Sequence, residues 1–341
     1  MSNHRRKAVA LAGVVGVIAA SALAASAAAP ASAATNIRVG TVAINAMGQI
    51  PWAQSAGIFA KNGLNVTEIK IYPAPPPSLA ALAAGAIDFD YAPSIAIINA
   101  YANAGMALKV VAAADGYPPA QLAAAKKNPV LAKALDDTGV CVDPNGGINS
   151  WKDLAGKTVS VPARKTQGEV TIAQAVKTDK GNPAAVNYVT LPFGAALDAL
   201  KSGKTQAAFT VEPFTSACTA AGLKNLGSPG VSFFTNEVAI GMWVTTAAYA
   251  AANPQAVLGF QKSIAEVGKF ANTKAGWDKI LQSANPTYTD VDLATARKAN
   301  PSYIPPTIVA ADLKGPADKM LALGFLTKPL DVAGLLLKQY R

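Results

Sequence analysis

Leu79-Ala80-Ala81-Leu82-Ala83-Ala84-Gly85-Ala86-Ile87-Asp88-Phe89-Asp90-Tyr91 is answered 118 residues further on by Leu197-Asp198-Ala199-Leu200-Lys201-Ser202-Gly203-Lys204-Thr205-Gln206-Ala207-Ala208-Phe209. In both copies leucines three apart mark one face of a helix, a glycine stops it, and a β-rich run follows. The same α/β phrase in two halves of one chain predicts two lobes of similar build. Two lobes imply a cleft.

Working outward to the N-terminus, His4-Arg5-Arg6-Lys7 is a positive n-region, residues 8–29 an Ala/Val-rich apolar run, and Ala31-Ser32-Ala33 an A-x-A cleavage site. This is the pattern of an export signal over residues 1–33. Cysteine is absent before Cys141, so the lipobox cysteine of a lipoprotein is missing. Cleavage after Ala33 leaves 308 of 341 residues and removes Arg5, Arg6 and Lys7 with no acid, lowering the formal charge from +10 to +7. A chain of this size has room for two lobes, each with a core. The remaining basic residues are scattered rather than clustered among aromatics, which reads as a solvated surface and not as a nucleic-acid footprint. Cys141 and Cys218 are the only cysteines; an oxidising compartment favours a disulfide over two free thiols, and two distant cysteines without histidines do not suit zinc.

The pattern of residues predicts strands at 37–42, 66–72, 87–91 and 108–113, alternating with helices at 51–61, after the proline-rich turn at 73–77, and at 94–103. The rhythm breaks over 118–150, read as the passage into the second lobe, and restarts with strands at 158–161, 186–191 and 207–211 around helices at 167–177 and from Leu197. A β-branched run at 238–245 carries the chain back. Helices are expected at 256–270, 276–283, 290–298, 308–323 and 331–338. β-α alternation of this kind predicts a mainly parallel sheet flanked by helices in each lobe. The expected division is 34–115 with 244–341 for lobe 1 and 116–243 for lobe 2, joined by two crossovers that act as a hinge, the C-terminal helices lying on lobe 1.

His4 is the sole histidine and leaves with the signal, so a mature chain cannot run Ser-His-Asp or Cys-His chemistry. G-x-S-x-G and S-x-x-K are absent. Gly156-Lys157-Thr158 and Gly203-Lys204-Thr205 resemble the end of a phosphate loop, but the required earlier glycine is replaced by Trp151 and Asp198. No catalytic residue, cofactor or metal is expected.

In open parallel sheets ligands lie beyond the carboxyl ends of strands. The candidate ligand contacts are therefore Asn45, Gln49 and Trp52 after the first strand, Ser94 after the third, Asp115 after the fourth, Arg164, Thr166, Gln167 and Gly168 in the second lobe, and Glu212 at the strand end there. Ser94 and Thr166 stand at helix starts, where free N–H groups and the helix dipole favour an anion, and Arg164 and Lys165 add charge beside Thr166. Ser94 also reads as a plain N-cap, Trp52 and Trp243 as core aromatics, and Glu212 as either the partner of a ligand amine or a hinge residue. Asp88 reads as structural, because its counterpart is the neutral Gln206.

Trp151-Lys152-Asp153-Leu154-Ala155-Gly156-Lys157-Thr158-Val159-Ser160-Val161, the segment from Ala196 to Glu212-Pro213-Phe214, and Gly85-Ala86-Ile87-Asp88 resemble the solute-binding proteins of ABC importers in the nitrate, sulfonate, taurine and thiamine-pyrimidine group. The likeness runs from about Ile37 to Phe270. It implies a type II periplasmic-binding fold, a monomer that closes over a small, anionic solute and delivers it to a permease with a cytoplasmic ATPase, and no enzymatic activity. It also implies that the loop after the first strand, the Ser94 turn, the Thr166 region and the Glu212 turn line the site. Where sulfonate binders carry a Gly-Ser/Thr pair at the second-lobe helix start, this chain reads Lys165-Thr166-Gln167-Gly168. The pyrimidine synthases of the group depend on histidine, which a mature chain lacks. Sulfonate, nitrate, carboxylate and heterocycle remain open as ligands, and the rival readings are an exported carboxylate enzyme using Asp115 or Glu212, or a sensory protein with a receptor as partner.

Overall fold

The computed structural model describes Met1 and residues 34–125, 127–128 and 136–340. The expected signal peptide lies outside them, Met1 apart. Among the described residues two five-stranded sheets form, and each is covered by helices. The first has the order β2-β1-β3-β10-β4, with β1 Thr35–Val42, β2 Leu64–Tyr72, β3 Phe89–Pro93, β4 Leu108–Gly116 and β10 Ala239–Thr246. The second has the order β7-β6-β8-β5-β9, with β5 Thr138–Val142, β6 Thr158–Val161, β7 Asn187–Thr190, β8 Ala207–Val211 and β9 Lys224–Asn225.

In each sheet one strand runs against the others: β10 is antiparallel to β3 and β4, and β5 to β8 and β9. These are the strands by which the chain enters the second lobe and returns to the first. They take the same place in both sheets, fourth in order. β3 and β5 are buried at every position, which explains why β5 shows no alternation: a strand covered on both faces has no polar side. β5 and the helix Pro119–Ala125 fall within the stretch read from sequence as a mere passage. β10 belongs wholly to the first sheet, so a lobe division at residues 243 and 244 falls within a strand.

The two copies of the motif fold alike to the hydrogen bond. Leu79 and Leu82, and Leu197 and Leu200, are buried, and each such leucine contributes about 1.5–3 kcal/mol. Gly85 and Gly203 take φ of 70° and 71°. In the first copy Gly85 N–H donates to Leu82 O and Ala86 N–H to Ala81 O; in the second Gly203 N–H donates to Leu200 O and Lys204 N–H to Ala199 O. Both are Schellman closures, which need a left-handed residue at the glycine. Asp88 and Gln206 then do one job. Asp88 N–H donates to Arg38 O while its carboxylate accepts Arg38 N–H at 2.8 Å; Gln206 N–H donates to Thr158 O while its side-chain oxygen accepts Thr158 N–H at 3.0 Å. Each clasps the motif to the first parallel strand of its lobe.

The expected helix at 51–61 is two helices, Gln49–Ser55 and Ile58–Lys61, because Gly57 between them has φ of 71°. The helix before Gly85 starts at Pro75, inside the proline run, where a proline's missing N–H costs nothing. Of the C-terminal helices, Pro254–Ala271, Lys274–Ala284 and Ala311–Ala322 form near their expected bounds. Phe260 of the first is fully buried and stacks on Phe89 of β3 at 4.1 Å, fixing this helix on the first sheet. The expected helix at 290–298 shrinks to Leu293–Ala296. That at 331–338 is replaced by short turns, because Leu335 O accepts Val110 N–H and Leu336 bridges to Val110, giving the edge strand β4 a backbone partner. Cys141 on β5 and Cys218 on the helix Phe214–Ala220 are joined in a disulfide, their Cα atoms 6.3 Å apart. No helix of the described residues is long and apolar enough to cross a membrane.

Candidate functional site

Strand ends of both sheets meet at a narrow cavity of about 40 Å³. The motif repeat supplies its walls in corresponding pairs. Pro75 and Phe193 begin the two motif helices, Tyr91 and Phe209 end the two quoted stretches, and Pro93 and Val211 follow two residues later; all six line the cavity. Val42 and Pro162, at the ends of β1 and β6, face it as well. The polar lining comes from Asp115 at the end of β4, Asp137 and Thr138 at the start of β5, and Thr166, Gln167 and Gly168 at the start of the helix Gln167–Thr178.

Asp115, Thr166, Gln167 and Gly168 are thus brought together as candidate contacts. Gly168 sits where a Cβ would stand 2.9 Å from the Phe209 ring, so its lack of a side chain lets the helix start approach β8. Thr166 Oγ1 donates to Ala163 O at 2.9 Å, which leaves its lone pairs available. Ser94 starts the helix Ser94–Asn103 directly after the lining residue Pro93; it is fully buried and its hydroxyl has no partner.

The other candidates lie outside the lining. Asn45 is fully buried: its N–H donates to Glu212 O at 2.9 Å and its side-chain oxygen accepts from Asn285 Nδ2 at 2.8 Å, tying the loop after β1 to the second lobe and to the C-terminal region. Gln49 donates to Ala46 O and Ala114 O and accepts from Trp243 Nε1, which makes it a brace between β4 and β10. Trp52 stacks on Phe270 at 4.2 Å, and Trp243 is fully buried. Arg164 is bound by Glu169 through Nε at 2.8 Å and Nη2 at 2.9 Å and lies over the Tyr188 ring, so its charge is taken up within its own loop. Glu212 accepts from Ser216 N–H at 3.0 Å and from its hydroxyl, while its own N–H donates to Asp137 O; it is a knot between the lobes. The expectation of an anionic solute drew on the helix starts at Ser94 and Thr166 and on the added charge of Arg164 and Lys165, and among the described residues the lining contains no lysine or arginine.

What the lining does contain is acid. Asp115 Oδ1 accepts Gly241 N–H at 2.9 Å; its buried Oδ2 has no well-formed hydrogen bond, although the Tyr91 side chain lies beside the carboxylate as a donor. Burial pushes its pKa up to about 6, against the pull of the Gly241 and Tyr91 donors. Asp137, whose carboxylate accepts from Ser302 Oγ at 2.7 Å, is pushed well up by burial and by the charges of Asp115 and Asp136. Asp136 differs: Thr138 N–H, Tyr117 Oη and Ser228 Oγ all donate to it, and it serves as a structural acceptor. Glu212 is raised to about 7, mainly by burial. Sequence reading missed Asp137 because it precedes a strand that was itself unseen. It missed Tyr91, Phe193 and Phe209 as lining residues although the repeat marked their positions.

Two lobes of this topology, closing on a cavity at their strand ends, define a two-lobed periplasmic-binding-protein fold. Solved structures share it. The alkanesulfonate-binding protein SsuA from Xanthomonas axonopodis pv. citri, bound to MOPS, superposes with a TM-score of 0.70 at 18% identity, over 89% of this chain and 98% of that one. The periplasmic aliphatic sulphonate-binding protein SsuA from Escherichia coli gives 0.67 at 18%, over 89% and 92%. The periplasmic nitrate-binding protein NrtA from Synechocystis PCC 6803 gives 0.63 at 11%, over 77% and 69%. Residues 134–273 match the family described as NMT1/THI5 like. Among curated proteins no sequence matches significantly. The two-lobed fold that the motif resemblance implied therefore holds.

Proposed function

We propose that this protein is an exported, extracytoplasmic solute-binding protein of an ABC importer, which captures a small solute between its lobes and presents the closed form to a permease. One observation carries the reading: the cavity is lined from both sheets by corresponding residues of the repeat, Tyr91 with Phe209 and Pro93 with Val211. A solute that touches both lobes binds the closed form better than the open one, and that difference drives closure. We take the lobes to be joined by the segment before β5 and the segment before β10. Asn45, Asp137 and Glu212 hold the crossing together through backbone bonds. The helix starts at Ser94 and Gln167 offer N–H groups to an acceptor on the solute. Binding without turnover is supported by the neighbours, which bind alkanesulfonate, aliphatic sulphonate and nitrate.

A thermal-shift screen of the purified mature chain over sulfonates, nitrate, carboxylates and nitrogen heterocycles tests this. A solute at a hundred times its Kd stabilises by about 2.7 kcal/mol. The bound form should also show a smaller radius of gyration in solution scattering. If no solute raises the melting temperature and none compacts the molecule, the reading falls.

A further inference from the structure

We infer that the cavity takes a positively charged amine or amidine, seated between the carboxylates of Asp115 and Asp137, with an apolar body against Tyr91, Phe193 and Phe209. This deepens the solute-binding reading and rests on it.

Three observations point the same way. Both carboxylates line the cavity, and both also line a smaller hollow behind it, shared with Asp136 and Ser302. Asp115 is 6% exposed and its Oδ2 has no well-formed hydrogen bond. A buried carboxylate oxygen without a well-formed bond is costly, and a ligand N–H can supply a better one than the Tyr91 hydroxyl beside it makes in the free protein. The donors that satisfy Asp136 show what a carboxylate in this region receives when its role is structural.

Charge counting gives the sign. Each helix start contributes roughly half a positive charge, so the starts at Ser94 and Gln167 together supply about one. Against that stand Asp115, ionised at pH 7.5, and Asp137, whose raised pKa a seated cation would bring down, while the basic residue expected to offset them, Arg164, is bound to Glu169. An anionic solute would add to the excess, whereas a monocation removes it. Burial is the main reason that both carboxylates are pushed up, with the neighbouring acids adding to it at Asp137, and a cation seated beside them would pull both back down.

The test is calorimetric titration of the mature protein at pH 7.5 with three probes of one shape, benzamidine, benzamide and benzoate, alongside taurine and nitrate. Benzamidine should bind at least about tenfold more tightly than benzamide, the scale of a charge-assisted hydrogen bond, and benzoate more weakly than either. Asp115→Asn and Asp137→Asn should each remove that advantage, while a cooperative urea melt of each variant shows that the fold is intact. Tighter binding of benzoate, taurine or nitrate than of benzamidine overturns the inference but leaves solute capture standing. Unchanged benzamidine affinity in both variants also overturns it. Failure of every probe to bind at millimolar concentration counts against solute capture by this cavity and removes both.

Discussion

Replacing Asp115 by asparagine should stabilise the unliganded protein near neutral pH, and only there. Asp115 titrates at about 6 in the fold against 3.8 for a free side chain. Each unit is worth about 1.4 kcal/mol, so ionising it in place costs on the order of 3 kcal/mol. The sign follows from proton binding: the folded state holds the proton to higher pH than the unfolded state, so stability is lost as pH rises from about 4 to about 6 and stays lost above. The amide of Asp115→Asn keeps the shape and the oxygen that accepts Gly241 N–H, but it has no charge to desolvate. Urea melts at pH 4 and pH 7.5 should show a gain below about 1 kcal/mol at the lower pH and about 3 kcal/mol at the higher, the latter raising Tm by several degrees. The wild-type protein should continue to lose stability up to about pH 7, because Glu212 has its own raised pKa there. A variant less stable than wild type at pH 7.5, or an equal gain at both values, would show that the buried carboxylate is compensated in the free protein and refute the reasoning.

Reduction of the Cys141–Cys218 bond, which closes a loop of 77 residues, should lower stability by about 4 kcal/mol, seen as a drop in the denaturation midpoint with reductant. Gly168→Ala would set a methyl 2.9 Å from the Phe209 ring, forcing that ring toward the cavity; a loss of about 1–3 kcal/mol of stability together with weaker ligand binding is expected. Ser94→Ala removes a buried hydroxyl without a partner, so the free protein should be unchanged or up to about 1 kcal/mol more stable, and any loss of affinity in a ligand titration reports a contact. Arg164→Ala, by contrast, should leave ligand affinity unchanged, since Arg164 is half exposed and spends its charge on Glu169.

Much of the fold was legible because it is written in local chemistry. A Leu-x-x-Leu face, a glycine that can turn left-handed and a clasping side chain three residues later are enough to fix helix, stop and strand in both halves. The helix at Ser94 and the strands at Thr158 and Ala207 were placed to the residue on these grounds. Where the reading failed, the missing signal was not local. β5 is short, buried on both faces and so without alternation, and the segment after Asp331 breaks into short turns because Leu335 and Leu336 partner the edge of β4.

The candidate site divides in the same way. The loops at the strand ends could be named from the topology, and four of the candidates, Asp115, Thr166, Gln167 and Gly168, line the cavity. Which polar side chains of those loops are free to meet a solute depends on who else reaches them. Arg164 and Glu169 are only five residues apart and could have been paired by inspection; Gln49 with Trp243, and Asn45 with Asn285, are separated by roughly two hundred residues or more and could not.

The sequence by itself determined that there are two lobes of one design and that aromatic residues 91 and 209 hold equivalent places in them. Only the tertiary structure decided the charge that those lobes enclose. Arg164 looked like the candidate site's cation until Glu169 claimed it, and Asp115 and Asp137 join Thr138, Thr166 and Gln167 in the polar lining because folding brings the end of β4 beside the start of β5. Charge in a cavity is set by which groups remain unpaired after distant segments have met, and a linear pattern holds no record of that.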